Sequence, residues 1–538
     1  MGLDYCGGKF MARGRGNRAI TLENILWNCR VALRGVGSTE KNRDAVIALV
    51  FLKFAGDKFV KRRAEIAKDL NYKPFIDDVV FYNAKDVFYL NETSRWSYIV
   101  KKASSNDISV ILDKAMADIE EKNSTLKGAL PLNLFSNLNV EKSRIKELID
   151  NVNKIDERQF QEKDLVGRVY EYFLRAYAAA GTKEDGEFYT PACVVKLIAE
   201  LIEPFNGTVY DPCCGSGGMF VQSMKFVESH NIDRKTITII GQESNAETWR
   251  LCKMNLAIRG IPCNLGAMAA STFTNDLHPD LKVDYIMANP PFNYKNWRDA
   301  DELRNDTRFT GFSEIPPVSN ANYAWILHIL SKLKDTGIAG FLLANGALNS
   351  DDVEYRIRQE LVERDVVEAI IVLPRDMFYT TDISATLWIL NMNKKSGEVN
   401  GRKVRDRSGE ILFVDLRRWD NQIEEIVIDK NKKKKKTILS DEQISEVKKI
   451  YHGWQSADRN NYSDVPELCK SAKLSEVKAK YYSLAPSKYI KFIDHDLEID
   501  YPAEMQRIQT EMQKILSEEK ESQKFLEVAF SDIGYAIE

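Results

Sequence analysis

Residues Asn289-Pro290-Pro291-Phe292 follow an apolar run, Val283-Asp284-Tyr285-Ile286-Met287-Ala288. Their types suit one chemistry, the holding of a planar amino group for methyl transfer. The Asn289 side-chain oxygen can accept a hydrogen bond from an exocyclic amine. The Pro290 carbonyl can accept a second, because proline keeps its acceptor while losing its donor. Phe292 offers a face on which a ring can stack. Two acceptors on one NH2 draw its nitrogen out of conjugation with the ring and free its lone pair to attack a methyl group. The candidate catalytic set is therefore Asn289, Pro290, Pro291 and Phe292. It requires neither a metal nor a covalent intermediate. The competing reading is a plain proline turn that closes a strand.

A second constellation lies upstream, Tyr210-Asp211-Pro212-Cys213-Cys214-Gly215-Ser216-Gly217-Gly218. It follows an apolar strand and opens a helix, which in a doubly wound sheet is the ligand-binding end. Glycines there let backbone approach a ligand closely. Asp211 at the head of the loop suits a cationic amino acid moiety better than a pyrophosphate. The full dinucleotide spacing is absent, and so is a phosphate loop. Glu243, after the next strand, can accept both hydroxyls of a ribose. Asp211, Gly215, Gly217 and Glu243 together describe a site for S-adenosyl-L-methionine, with Pro212, Ser216 and Gly218 in the same turn. Tyr189, Thr190 and Pro191 (in Phe188–Pro191) could close that pocket from the other side.

These residues need a scaffold, and the pattern supplies one. Short apolar runs at Thr208–Tyr210, Thr236–Ile240, Asp284–Met287, Ala339–Leu343, Val367–Leu373 and Thr386–Leu390 alternate with helical stretches. That alternation predicts a mostly parallel sheet covered on both faces. Residues 20–160 read as mostly helical: Leu22, Ile25, Leu26, Cys29 and Leu33 follow helical spacing, as do Ala45, Ala48, Phe51, Leu52, Ala55 and Phe59. Lys430 and Lys432–Lys436 read as a solvated polar loop, with contact to a DNA backbone as the lesser alternative. A terminal helix carries Met505, Ile508, Met512, Ile515 and Leu516 amid charges. It would pair with another helix or dock on its own chain. The expected division is a helical domain over 1–164, a catalytic domain over 165–425, and a C-terminal extension over 426–538.

Composition sets the limits. The 538 residues suffice for two to four domains, and 44% apolar with 29% charged residues is ordinary for a globular protein. A net charge of −3 is not the footprint of a chain that grips nucleic acid unaided. The eight cysteines form no Cys-x-x-Cys pair, so neither zinc nor a disulfide frame is indicated, and no metal site is expected. No apolar run approaches membrane-spanning length and no signal-peptide layout is present, so a cytoplasmic location and no membrane partner are expected.

In order and content these motifs resemble the modification subunits of type I restriction–modification systems, adenine-specific N6 methyltransferases of the gamma class. The match runs from Phe188–Pro191 through 211–218 and Glu243 to Asn289–Phe292. It extends to Leu26-Trp27, Phe51–Phe54, Asn322–Trp325, Ala344–Leu348, Leu373-Pro374 and Tyr482–Pro486. The resemblance implies an α/β fold: a Rossmann-like S-adenosylmethionine-dependent methyltransferase domain with an N-terminal all-helical domain and a C-terminal helical tail. It implies double-stranded DNA as substrate, a specificity subunit that reads the sequence, a second modification subunit, and a motor-nuclease restriction subunit. Two departures stand out. Ser271 occupies the place where the family sets an acid against the cofactor's adenine, and Phe378-Tyr379-Thr380-Thr381-Asp382-Ile383-Ser384 lacks the family's glycines and proline near the target base. The expected mechanism flips adenine out of the duplex onto Asn289, Pro290 and Phe292. Methylation of an RNA base or a protein glutamine, or a non-catalytic scaffold, are the rivals. Cytosine C5 chemistry would need a cysteine nucleophile, and Pro262-Cys263 has the wrong surroundings.

Overall fold

In a computed structural model, the structure describes residues 22–36, 39–155, 172, 190–378, 382–429, 432–493 and 501–532. The first unit is helical, built on Leu22–Ala32, Thr39–Lys68, Ile108–Lys122 and Lys142–Val152 with shorter turns between them. Its core holds the residues that helical spacing picked out, among them Leu26, Cys29, Leu33, Phe51, Leu52 and Phe59. The same core takes in Leu251, Met254 and Ile258 from the helix Ala246–Ile258. Lys58 Nζ donates to the Ile258 carbonyl (3.1 Å), and Lys253 Nζ to that of Lys127 (2.6 Å). The helical unit therefore braces the helix that follows the Glu243 strand end.

Thirteen strands follow among the described residues: β1 (Gly207–Asp211), β2 (Ile237–Gly241), β3 (Cys263–Asn264), β4 (Val283–Ala288), β5 (Leu333–Ala344), β6 (Val367–Val372), β7 (Ala385–Asn391), β8 (Gly397–Val399), β9 (Arg402–Val404), β10 (Glu410–Asp415), β11 (Ile423–Asp429), β12 (Lys432–Thr437) and β13 (Cys469–Lys473). Nine of them form one sheet in the order β13-β10-β6-β7-β5-β4-β1-β2-β3. The pairs β1–β2, β1–β4, β2–β3, β4–β5 and β6–β10 are parallel. Strand β7 runs antiparallel between β5 and β6, and β13 antiparallel to β10. Every residue of β6 and β7 is buried. This accounts for their continuous apolar sequence, since helices cover both faces. Two cores lie on opposite sides of the sheet, one around Val209, Phe220, Met287 and Trp454, the other around Tyr210, Ile286, Trp325 and Trp388.

The order reverses at β1: its parallel neighbours are β2 on one side and β4 on the other. Chain leaving the carboxyl ends of β1 and β4 thus diverges and opens a crevice, the usual ligand position in an open α/β sheet. Both sequence constellations follow these two strands directly.

Two expectations need correction. A boundary at 425 cuts a continuous structure. Strand β13 completes the sheet edge, and the helix Asp441–Gln455 lies against Ala192–Ile202, where Lys448 pairs with Glu200 (2.7 Å) and His452 Nε2 contacts the Leu201 carbonyl (3.1 Å). The lysine run is no loop but strand β12, paired antiparallel with β11. Cross-strand carboxylates explain why: Glu424 sits opposite Lys436 and Glu425 opposite Lys435. The terminal helix Tyr501–Asp532 buries no residue, and Met512, Ile515 and Phe525 are each at least 60% exposed. Among the described residues no helix is long and apolar enough to cross a membrane.

Candidate active site

Strand β4 ends at Ala288, and the turn Asn289–Phe292 emerges beside the end of β1. Asn289 Nδ2 donates to Thr190 Oγ1 (2.9 Å), the residue just before the helix Ala192–Ile202. That bond turns the amide oxygen away from Thr190. The other end, Asn289 Oδ1, is buried with no protein partner. A buried carbonyl oxygen without a donor loses free energy, about 1–3 kcal/mol, unless a ligand satisfies it. Pro290 is buried and Pro291 half-buried. The Phe292 ring is half-buried and meets Phe378 edge-on, with centroids 5.8 Å apart. Behind the turn, Asn293 and Asn322 exchange two bonds: Asn293 N donates to Asn322 Oδ1 (3.0 Å) and Asn322 Nδ2 to Asn293 Oδ1 (2.9 Å). Asn293 has φ 53°, a left-handed conformation that asparagine tolerates well. This pair anchors the turn to the start of the helix Asn322–Lys332.

The glycine turn is built from bonds that prolong the β1–β2 ladder. Gln242 N donates to the Asp211 carbonyl (3.0 Å) and Cys214 N to that of Gln242 (2.9 Å). Gly215 and Gly217 have positive φ, 53° and 84°. A Cβ at Gly217 would strike Cys252 Sγ at 2.9 Å, whereas one at Gly215 or Gly218 would meet nothing within 4 Å. Open space lies beside Gly215 and Gly218. Asp211 is buried, and its Oδ1 accepts from Cys213 N (3.0 Å). Burial pushes its carboxyl up to about 7; the Cys213 N–H opposes that rise and the nearby Glu243 adds to it. Glu243 is also raised, by burial first, against the N–H groups of Asn245 and Gly215. Its two oxygens accept from Gly215 N and Asn245 N, each at 2.9 Å. The oxygen bonded to Asn245 also accepts from Ser244 Oγ (3.4 Å), and the one bonded to Gly215 keeps a second lone pair for a hydroxyl. Neither acid has an ion-pair partner among the described residues. Ser271 follows Ala270, whose N–H donates to the Glu243 carbonyl (2.9 Å), so it borders the same crevice. Its hydroxyl accepts from Thr274 N (3.3 Å). The next acid along the chain, Asp276, is committed to Lys332 at 2.7 Å.

The comparisons with known proteins agree with this layout. The N-6 DNA Methylase family matches residues 161–496, and the HsdM N-terminal domain matches 22–154. The type I restriction enzyme MjaIX methylase subunit of Methanocaldococcus jannaschii is 30% identical over 532 residues, 95% of this chain and 91% of that one. This chain belongs to the N-6 DNA methylase family. The HindI methylase subunit of Haemophilus influenzae is 34% identical over 80% of the chain and 93% of its own length. A crystal structure of the type I methyltransferase subunit from Streptococcus thermophilus shares the fold, with TM-score 0.71, 21% identity, and coverage of 87% and 98%. The methylase is accordingly an adenine-specific DNA methyltransferase, the modification subunit of a type I restriction–modification system.

The two predicted constellations leave the ends of adjacent strands, β1 and β4. Thr190 is bonded to Asn289. Tyr189, and Tyr379–Thr381 of the predicted target-base loop, lie outside the described residues. Sequence reasoning singled out Asn322 through the family resemblance but missed Asn293 and the pairing of the two amides behind the turn. An asparagine directly after the motif, followed 29 residues on by another at the start of a helix, was the available signal. It also missed that Glu243 holds the Gly215 backbone as well as facing the crevice.

Proposed function

We propose that the methylase transfers the methyl group of S-adenosyl-L-methionine to the N6 amino group of an adenine flipped out of double-stranded DNA. The observation that carries this reading is the buried, unpartnered Asn289 Oδ1, held in place through its own Nδ2. An acceptor so fixed and unsatisfied suits an N–H donor, and adenine N6 has two such hydrogens. The Pro290 carbonyl takes the second, and Phe292 stacks on the ring; such stacking is worth about 1–3 kcal/mol per base. With both hydrogens bound, the nitrogen lone pair turns toward the cofactor side of the crevice. Positioning of this kind supplies much of the acceleration. The proton leaves to water after attack.

The residues at the β1 end fit the cofactor. The space beside Gly215 and Gly218 accommodates a ligand against bare backbone. Glu243 has one oxygen with a lone pair for a ribose hydroxyl and a second that receives the other hydroxyl in place of the long Ser244 bond, and Asp211, buried and without a cationic partner among the described residues, favours a positively charged amino acid group. Pro212, Ser216 and Gly217 shape the turn, Pro191 starts the neighbouring helix, and Ser271 lies where the adenine of the cofactor would end. When bound, the cofactor supplies an electrophilic methyl group.

Within the assembly, a specificity subunit reads the DNA sequence, a second modification subunit addresses the other strand, and a motor-nuclease subunit carries restriction. The exposed helix Tyr501–Asp532 would join the chain to the specificity subunit. The test is to co-express the chain with that subunit and map methylated adenines in the host DNA. Asn289→Ala should erase the marks while S-adenosyl-L-methionine still binds in calorimetry. Marks that persist in Asn289→Ala, or an unmodified complex that marks no adenine, would refute the reading.

A further inference from the structure

Six lysines and three carboxylates fall within residues 423–437, a net +3 in a chain whose total is −3. Five of the lysines are consecutive and form β12. Consecutive like charges repel, so a sequence serving only as a turn gains nothing from them. On a strand, residues two apart are roughly 6.8 Å apart on one face, a spacing that suits successive phosphates along a nucleic acid strand. The carboxylates of Glu424 and Glu425 offset part of the repulsion, yet Lys435 remains 70% exposed, only 4.0 Å from Glu425.

Position gives this charge a purpose. Strands β1, β4, β5, β6 and β10 run in the same direction, so their carboxyl ends share the edge that carries the active site. The β11–β12 ribbon follows β10 at that edge. It is tied to the segment beside the target pocket at two points: Thr437 N donates to the Asp376 carbonyl (3.0 Å), and Lys436 Nζ pairs with Asp382 (2.8 Å). Lys436 is 2% exposed, so it serves as an anchor rather than as a contact. Asp376 and Asp382 flank Phe378, the ring that meets Phe292. Arg375, exposed and without an ion-pair partner among the described residues, continues the positive surface toward the crevice.

We propose that the β11–β12 ribbon is a clamp on the DNA backbone, contacting phosphates next to the adenine that Asn289 receives. The inference rests on the DNA-methylation reading and adds the surface that holds the duplex at the catalytic edge. The chain as a whole is acidic, and counterion release needs clustered cations along the DNA path. The ribbon supplies such a cluster within the methylase itself, in addition to whatever the specificity subunit contributes.

The test uses the complex of the methylase with its specificity subunit and a labelled mixed-sequence duplex, titrated over a range of salt. The variant K432Q/K433Q/K434Q/K435Q leaves the anchor Lys436 in place. Each phosphate contact contributes about 0.9 to the slope of log K against log salt. With two of the four lysines on the face away from the anchored Lys436, the variant should lower the slope by about 2 and the low-salt affinity at least tenfold, with S-adenosyl-L-methionine binding unchanged. A folded variant with the parental slope and affinity overturns the proposal. So does a variant that loses the specificity subunit but, on the DNA it still binds, keeps the parental slope; the ribbon would then be a protein contact. If the quadruple variant does not fold, Lys435→Glu, a single exposed site, should still reduce the slope, and an unchanged slope there overturns the proposal equally. The slope is read by binding alone. A complex that binds DNA through the ribbon but methylates no adenine would sink the proposed function and leave the clamp standing.

Discussion

Thr190→Val isolates the orientation of the Asn289 amide. Valine keeps the shape of threonine and removes only the hydroxyl that accepts from Asn289 Nδ2 at 2.9 Å. A carboxamide has two nearly isosteric ends, and only one of them can accept the N6 hydrogens. The bond to Thr190 biases the amide toward the productive end by about 1 kcal/mol, the net worth of a neutral hydrogen bond. Without it, the flipped amide aims its NH2 at the base amine, donor against donor. A bias of about 1 kcal/mol is a ratio of roughly five to one, so its loss should take the productive fraction from about 0.8 to about a half. Single-turnover methylation of DNA by the complex should slow by about twofold, while calorimetry reports unchanged affinity for S-adenosyl-L-methionine. Asn289→Ala, which removes the acceptor outright, should cost at least about a hundredfold, as removal of a preorganised polar group at a reacting centre does elsewhere. An unchanged single-turnover rate in Thr190→Val would refute the orienting role. A weakened cofactor affinity with a normal rate at saturation would return Thr190 to the cofactor pocket, where the sequence pattern first put it.

Other outcomes follow from the same geometry. Asp211→Ala or Glu243→Ala should weaken S-adenosyl-L-methionine by at least about tenfold, the worth of a charge-assisted hydrogen bond of about 1.5–3 kcal/mol, and unchanged calorimetric affinity in both would remove this cofactor site. The carboxyl of Asp211 is raised by burial to about 7, so its contribution to stability is fully present below its ordinary value of 3.8 and is lost as pH rises through about 7. The cofactor-free protein should therefore lose stability across that window in thermal unfolding, and Asp211→Asn should flatten the decline. Asn322→Ala leaves the Asn293 N–H without its partner and the Asn293 Oδ1 with the longer bond from Asn320 Nδ2 (3.4 Å); it should lower the unfolding midpoint and the methylation rate together, whereas a loss of stability alone would deny Asn322 a part in holding the turn. Removing residues after 500 takes away a helix that buries nothing, so the unfolding midpoint should not move while assembly with the specificity subunit fails; a truncated chain that still assembles would exclude the tail as the joint.

Much of the site was legible because its signals are local. Asn289–Phe292 and Asp211–Gly218 each follow a run of strand residues, and a parallel sheet turns "after a strand" into "at the ligand-binding edge". The central strands announced themselves through continuous apolar runs, since both of their faces are buried. Strand β13, Cys-Lys-Ser-Ala-Lys, could not be found in this way. It sits at an edge with one neighbour, and its half-exposed, polar residues carry no apolar period. For the same reason the chain beyond 425 looked separate from the sheet it completes. The lysine run was legible as charge but not as structure, because its strand exists only through pairing with carboxylates on β11.

The sequence by itself determined the chemistry: an amide, a proline carbonyl and an aromatic ring in one turn, and acids flanking a glycine loop, because these depend on residue type and near neighbours along the chain. Tertiary structure alone decided which acceptor stays free. Thr190 and Asn289 are 99 residues apart, and only the packing of the helix Ala192–Ile202 against the sheet brings the hydroxyl to Nδ2. It likewise decided that Lys436 is spent on Asp382, 54 residues away, while Lys435 faces solvent. Which partner a polar atom finds is set by distances between elements. Those distances come from the burial of apolar surface across the whole sheet, which no short stretch of sequence records.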